Sequence, residues 1–186
     1  MKSTILDMEP ELVWQNFYKI SQIPRCSGNE KAVGEYVISV AKKNNLKFKK
    51  DKIGNIIVSS PASSGYESRT PLVLQGHLDM VCEKDKETKH DFSKDPLKLK
   101  IDGEWLGAEG TTLGSDNGIG VCYALALMED KSIMHGPLEF LFTVDEETGL
   151  TGAAELKEGF LNSKYLINLD SEEEGETGTN NDTGDN

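Results

Sequence analysis

Three apolar runs, PLVLQ at 71–75, PLEFLFTV at 137–144 and KYLIN at 164–168, have the length of strands, and stretches of helical periodicity lie between them. Strands alternating with helices are joined by crossover connections, which favour a parallel sheet with helices packed over its faces. Each run gives way to a segment bearing histidine or acid: GHLDMV at 76–81, DEETG at 145–149 and NLD at 168–170. A fourth such segment, GSDNGIG at 114–120, opens a helix. In open α/β sheets, ligands bind outside the carboxyl ends of the strands. The pattern therefore brings loops distant in sequence to one rim, carrying His77, Asp79, Asp116, Glu146, Glu147 and Asp170. One imidazole and five carboxylates suit a pair of divalent cations with a carboxylate left over as a base. That is the donor set of metal-assisted hydrolysis.

The remaining pattern fills in an α/β fold: a mostly parallel mixed sheet with helices on both faces and antiparallel additions. Helices are expected at 10–22, with Pro10 in the opening turn, and from a Ser27/Glu30 capping box to about Asn45. Further helices are expected at 117–130 and about 151–158. The runs LKFKK and NIIVSS flank Lys52-Ile53-Gly54 as a hairpin, and Asp102-Gly103 marks a second hairpin. The stretch 83–96 is polar and reads as a surface loop. At 186 residues the chain holds about one domain. All the expected elements fall within residues 1–170, and the sheet they make lacks the further strands and covering helices that would complete it. Residues 171–186 end in GETGTNNDTGDN, which has no apolar side chain to offset the entropy of ordering, so a disordered tail is expected.

Net charge is −12, which excludes the basic footprint of a nucleic-acid binder. Glu172, Glu173, Glu174, Glu176, Asp182 and Asp185 supply six of those charges with no Lys or Arg among them, leaving the folded part mildly acidic. Cys26, Cys82 and Cys122 show no CxxC spacing, so neither a disulfide framework nor a cysteine-zinc site is expected. The N-terminal stretch lacks the apolar core of a signal peptide. The most apolar helix, around IGVCYALALM, is well short of the roughly 20 residues that span a membrane. A soluble, cytoplasmic protein without a membrane partner is the expectation.

Each acidic segment also has an ordinary reading. His77 suits a metal ligand through a neutral ring nitrogen, with Asp79 two residues on, on the same side of an extended chain, to fix the tautomer. An isolated HxD is as readily a strand-end His beside a solvated Asp. Asp116, in a glycine-bracketed turn at a helix start, is either an N-cap or a carboxylate able to bridge two cations. Glu146 and Glu147 point different ways, allowing one base and one ligand, where a plain solvated turn is the alternative. Asp170 closes LINLD either as a ligand or as a turn former. His90, in the charged loop, and His135, ahead of the strand at 138, read as uninvolved.

The stretches GHLDMVCEKD, DGEWLGAEGTTLGSDNGIG, HGPLEFLFTVDEETGLTGA and NLDSEEEGE closely resemble the aminoacyl-histidine dipeptidases, the Xaa-His dipeptidases or bacterial carnosinase-like enzymes. These belong to a wider group of two-zinc peptidases, and the resemblance covers residues 5–176. It implies that 1–170 is the N-terminal portion of a zinc-exopeptidase-like catalytic domain. It also implies that His77 and Asp170 hold one zinc, Glu147 holds the other and Asp116 bridges them. Asp79 would orient His77, and Glu146 would be the general base. Manganese or cobalt suits the same donors. A dipeptide is the implied substrate, and the Asp116–Asn117 peptide is expected to be cis. Two family features are missing from the sequence: a further zinc-binding His near the C-terminal end, and the lid domain through which the parent enzyme would form a homodimer. The fragment alone is therefore expected to be weakly active or inactive. Another two-zinc exopeptidase or deacylase, and a non-catalytic metal-binding fragment, remain as alternatives.

Overall fold

A computed structural model describes residues 4–170; the acidic stretch at 171–186, expected to be disordered, lies outside them. After a short 3-10 turn at Ile5–Asp7 come α1 (Glu11–Ser21), α2 (Lys31–Lys43), β1 (Lys47–Lys50), β2 (Ile56–Ser60) and β3 (Leu72–His77). Then follow β4 (Leu99–Asp102), β5 (Trp105–Ala108), α3 (Ser115–Glu129), β6 (Leu138–Thr143), α4 (Thr151–Ala154) and β7 (Tyr165–Asn168). Five strands form one sheet in the order β1-β2-β6-β3-β7, and β4-β5 is a separate hairpin. β3 pairs in parallel with β6 and β7, whereas β1-β2 and β2-β6 are antiparallel. The expected mixed sheet is present, and its parallel pairing falls on the three strands that end in acidic segments.

Alternation along these strands sends Ile56, Val58, Leu74, Phe140 and Phe142 into one core with Phe17, Ile20, Val37 and Leu125 of the helices. Fully burying one such phenylalanine contributes about 1.5–3 kcal/mol. α3 packs against α1, α2 and β3 and is buried on most of its circumference. Gly76 of β3 lets it come so close: a Cβ there would run into the Asn117 amide of α3. On the opposite face Ile57, Val73 and Leu141 are also buried, and there Ala153 of α4 and Leu156 line a cavity with Leu141 and Leu166. Helices thus lie on both faces, unequally.

Three local expectations need correcting. The helix expected at 151–158 is a single turn, because the chain leaves it to bring Asn162 and Ser163 onto the buried Glu139 carboxylate. Ser27 and Glu30 do not form a capping box. The Ser27 hydroxyl donates to Asp79 Oδ2 at 2.7 Å, and Glu30 Oε1 accepts from the N–H groups of Gly28 and Asp145. Finally, Cys26 and Cys82 form a disulfide, with 5.8 Å between their Cα atoms. A bridge pairing between Cys26 and Met80 sets the two segments side by side, a tertiary contact that no spacing rule detects. Cys122 is buried and free.

Glu139 yields a test of this architecture. Burial acts to raise its carboxyl, but the side chains and N–H groups of Ser163 and Asn162 outweigh that and lower it below the ordinary range. A depressed folded pKa stabilises above the ordinary glutamate value of about 4.3 and ceases to do so as pH falls through the folded value. Glu139→Gln turns an NH2 group towards these donors and should cost about 1–3 kcal/mol at pH 7. Urea unfolding of both proteins should show that gap closing as the pH falls below the glutamate range.

Candidate metal centre

The strand order β6-β3-β7 sets three carboxyl ends side by side with His77 in the middle. β3 and β6 are aligned so that His77 faces Thr143, and the Leu78 N–H donates to the Thr143 carbonyl at 2.8 Å. On the other flank Gln75 faces Asn168, and the Leu169 N–H donates to the Gln75 carbonyl. Two residues further in that register, Asp170 stands level with His77. The DEETG turn leaves β6 with Asp145 at φ +53°, its N–H held by Glu30, and swings Glu146 and Glu147 back over the end of β3.

Asp116 arrives from the start of α3. Asp116 and Asn117 depart from helical φ/ψ, and the peptide between them is cis. Asn117 is buried and turned inward, donating its amide to the Leu169 carbonyl and to Asp170 Oδ1, each at 3.0 Å. α3 and the end of β7 are thereby joined through the residue that follows Asp116.

The six residues converge. His77, 1% exposed, points Nε2 at Asp116 Oδ1 (2.9 Å), Asp170 Oδ2 (3.7 Å) and Glu146 Oε2 (3.8 Å). Its Nδ1 faces Asp79 Oδ1 at 3.3 Å, without the alignment of a full hydrogen bond. Asp79 is fully buried and also accepts from Ser27 and from the N–H groups of Glu146 and Glu147. Glu147 Oε1 accepts from the Val81 N–H at 3.3 Å. Among the described residues three sets of donor atoms lie close enough together to hold a metal ion: His77 with Glu146 and Asp170, His77 with Asp116 and Glu147, and Glu30 with Asp79 and Asp145. In the third, Asp79 and Glu30 are already occupied by the hydrogen bonds of Ser27, Gly28 and Asp145. His90 and His135 stand apart, His90 edge-on to Phe92 and His135 bonded to the Gly136 carbonyl at the far end of β6.

Electrostatics separate Asp79 from the rest. Burial would raise its carboxyl, yet the contacts with His77, the Glu146 N–H, Ser27 and the Glu147 N–H hold it well below the usual carboxylate range. Glu146, Glu147 and Asp170 shift the other way. Burial raises all three, and mutual repulsion adds to it: Asp170 and Glu147 act on Glu146, while Asp116 acts on both Glu147 and Asp170. Burial lowers His77, but Asp79, Asp116 and Asp170 prevail and lift it to about 9. Carboxylates crowd round one imidazole, and among the described residues no Lys or Arg forms an ion pair with them, so a divalent cation would neutralise the pocket.

Sequence reasoning missed four residues that shape this pocket: Arg25, Ser27, Glu30 and Asn117. Ser27 and Glu30 carried the spacing of a cap, Asn117 lay inside a helix opening, and a lone Arg gives no sign of burial. Cavity size is no guide either, since a 630 Å³ groove between α1 and the β4-β5 hairpin contains none of the six residues.

Residues 73–182 match the model of peptidase family M20/M25/M40. Over 174 residues, 94% of the chain, the sequence is 48% identical to the cytosol non-specific dipeptidase of Escherichia coli (strain K12), covering 36% of that protein. The structure of aminoacylhistidine dipeptidase from Vibrio alginolyticus superposes with a TM-score of 0.91 at 46% identity, over 93% of this chain and 35% of that one. A tripeptidase from Staphylococcus aureus shares the fold, with a TM-score of 0.71 at 21% identity over 87% of this chain and 43% of that one. The chain therefore spans little more than a third of the two relatives with the higher identity. On the family match and the identity together, the chain belongs to peptidase family M20/M25/M40.

Proposed function

We propose that this chain carries the metal-holding part of a dipeptidase that hydrolyses the single peptide bond of a dipeptide. One observation carries the reading: carboxylates from three separate segments surround Nε2 of a buried His77 within 2.9–3.8 Å. His77 and Asp170 are assigned to one divalent cation, Glu147 to the other, and Asp116 to both. Zinc is the first choice, with manganese or cobalt acceptable to the same donors. When bound, two such cations supply Lewis acidity and allow water to lose a proton near neutral pH.

The chain's own groups do the rest. Asp79 holds the proton on Nδ1 of His77, leaving Nε2 free to ligate. Glu146 takes the proton of the attacking water and delivers it to the leaving amine, a role suited to a carboxylate whose pKa burial has raised. Asp116, Glu147 and Asp170 bring three negative charges against four positive, so the loaded site would retain positive charge to favour an anionic transition state. The names of the relatives from E. coli and V. alginolyticus support dipeptides as the substrate class, Xaa-His dipeptides included. A cytoplasmic location is part of the same proposal. Among the described residues no helix is long and apolar enough to cross a membrane. A homodimer built through a lid domain outside this chain is proposed for the longer protein.

The assignments are tested in a protein of the relatives' length that contains this segment. Asp116→Ala should abolish both turnover and the uptake of a second metal ion, measured by metal analysis after dialysis; unchanged turnover sinks the bridging role. Glu146→Gln should retain both metal ions while turnover falls by about 10²–10⁴. A panel of Xaa-His dipeptides, tripeptides and N-acyl amino acids should give cleavage of the dipeptides first.

A further inference from the structure

Arg25 lies in the turn after α1, behind the carboxylates, and is only 3% exposed. Its Nη1 donates to the carbonyls of Leu78 (3.0 Å) and Asp79 (2.8 Å), and its Nη2 to the carbonyl of Gly114. Those carbonyls belong to two segments far apart in sequence: the one carrying His77 and Asp79, and the turn that presents Asp116. The fold leaves room for the guanidinium from both sides. Gly114 adopts φ +68°, a conformation that L side chains rarely take, and a Cβ on Gly118 would lie 2.7 Å from Nη2.

Burial lowers the Arg25 pKa to about 10, against the pull of the Asp79, Asp116 and Glu147 charges, so it stays cationic at neutral pH. Desolvating such a group costs several kcal/mol by the usual order of magnitude, and the contacts must offset it. Its charge does not serve the site, because a cation beside a pocket for cations opposes their binding. What an arginine offers here is its rigid fork, able to address three carbonyl oxygens at fixed angles; a lysine has the charge without the fork.

We propose that Arg25 is a positioning residue of the metal centre. By clamping the carbonyls of Leu78, Asp79 and Gly114, it fixes the distance between His77 and Asp116 at which a cation can take both. This rests on the metal-binding reading of those two residues and extends it to a side chain that touches no metal itself. Ser27, two residues on, reaches the same Asp79 by its hydroxyl, so the segment 25–27 backs the site from one side of the sheet.

The test is a Co2+ titration of the 186-residue chain and of Arg25→Lys, Arg25→Met and Gly118→Ala, read by visible absorption. Far-UV circular dichroism and thermal unfolding establish what fraction is folded. Gly118→Ala keeps the arginine and displaces its guanidinium from another element, so the proposal remains testable if an Arg25 variant does not fold. In the folded variants, cobalt affinity should fall at least tenfold and the absorption band should change shape. A residue that only stabilises the fold would shift the melting temperature and leave the affinity and spectrum of the folded fraction as in wild type, and that result overturns the role. If the unsubstituted chain takes up no cobalt, the metal reading itself falls and this role with it. The wild-type titration thus separates the two failures.

Discussion

The candidate site depends first on a carboxylate that has no access to solvent. Asp79 is fully buried, and a charge in that position is tolerable only if its oxygens are met by donors. The donors come from two places, the Ser27 hydroxyl from the turn before α2 and the N–H groups of Glu146 and Glu147 from the turn after β6, while Nδ1 of His77, at the end of β3, faces the same carboxylate at 3.3 Å. Satisfying one buried charge therefore draws together the helix–helix turn, the DEETG turn and the end of β3. The orientation of His77 is a consequence, since the ring nitrogen that faces Asp79 decides which nitrogen faces the other carboxylates.

Parallel pairing does the coarser placement. Three strands running the same way in the order β6-β3-β7 must end at one rim, whatever their loops contain. β1 runs the same way as β6, with the antiparallel β2 between them, and these two strands extend the sheet without supplying any of the six residues. α3 brings its first turn to the same edge because β3 has a glycine at 76 beneath it. Sheet polarity thus sets which chain ends meet, and the hydrogen bonds of Asp79, Asn117 and Arg25 set the remainder.

This division explains what the sequence disclosed. Strand polarity and the acidic strand ends are local patterns, so the mixed sheet and the gathering of His77, Asp116, Glu146, Glu147 and Asp170 were legible in the apolar runs PLVLQ, PLEFLFTV and KYLIN. The side chains that hold those segments together were not. Ser27 and Glu30 have the spacing of a capping box, and only the tertiary fold reveals that Asp79 and the Asp145 N–H compete for them and win. Arg25 gave no local sign of burial, and the Cys26–Cys82 bridge joins positions 56 residues apart through a contact between the α1–α2 turn and the segment that follows β3. Contacts of this kind are properties of the assembled molecule, and a one-dimensional pattern does not contain them.

Glutamates of the same strand-and-turn unit show how a carboxylate saturated by the fold differs from one left facing its own kind. Glu139, buried near the start of β6, receives four hydrogen bonds from Asn162 and Ser163, and its pKa falls. Glu146 and Glu147, a few residues on, face other carboxylates, and their pKa values rise. Chemical type and chain neighbourhood are nearly the same, so the difference lies in who supplies the positive partner. At Glu139 the chain supplies every donor, and the interaction is complete once the protein folds. At the rim His77 offsets only part of the mutual repulsion, and a cation brought from outside would relieve the rest. Relief of that repulsion is a source of affinity for a cation, and the buried, saturated groups behind it keep the arrangement from collapsing in the meantime.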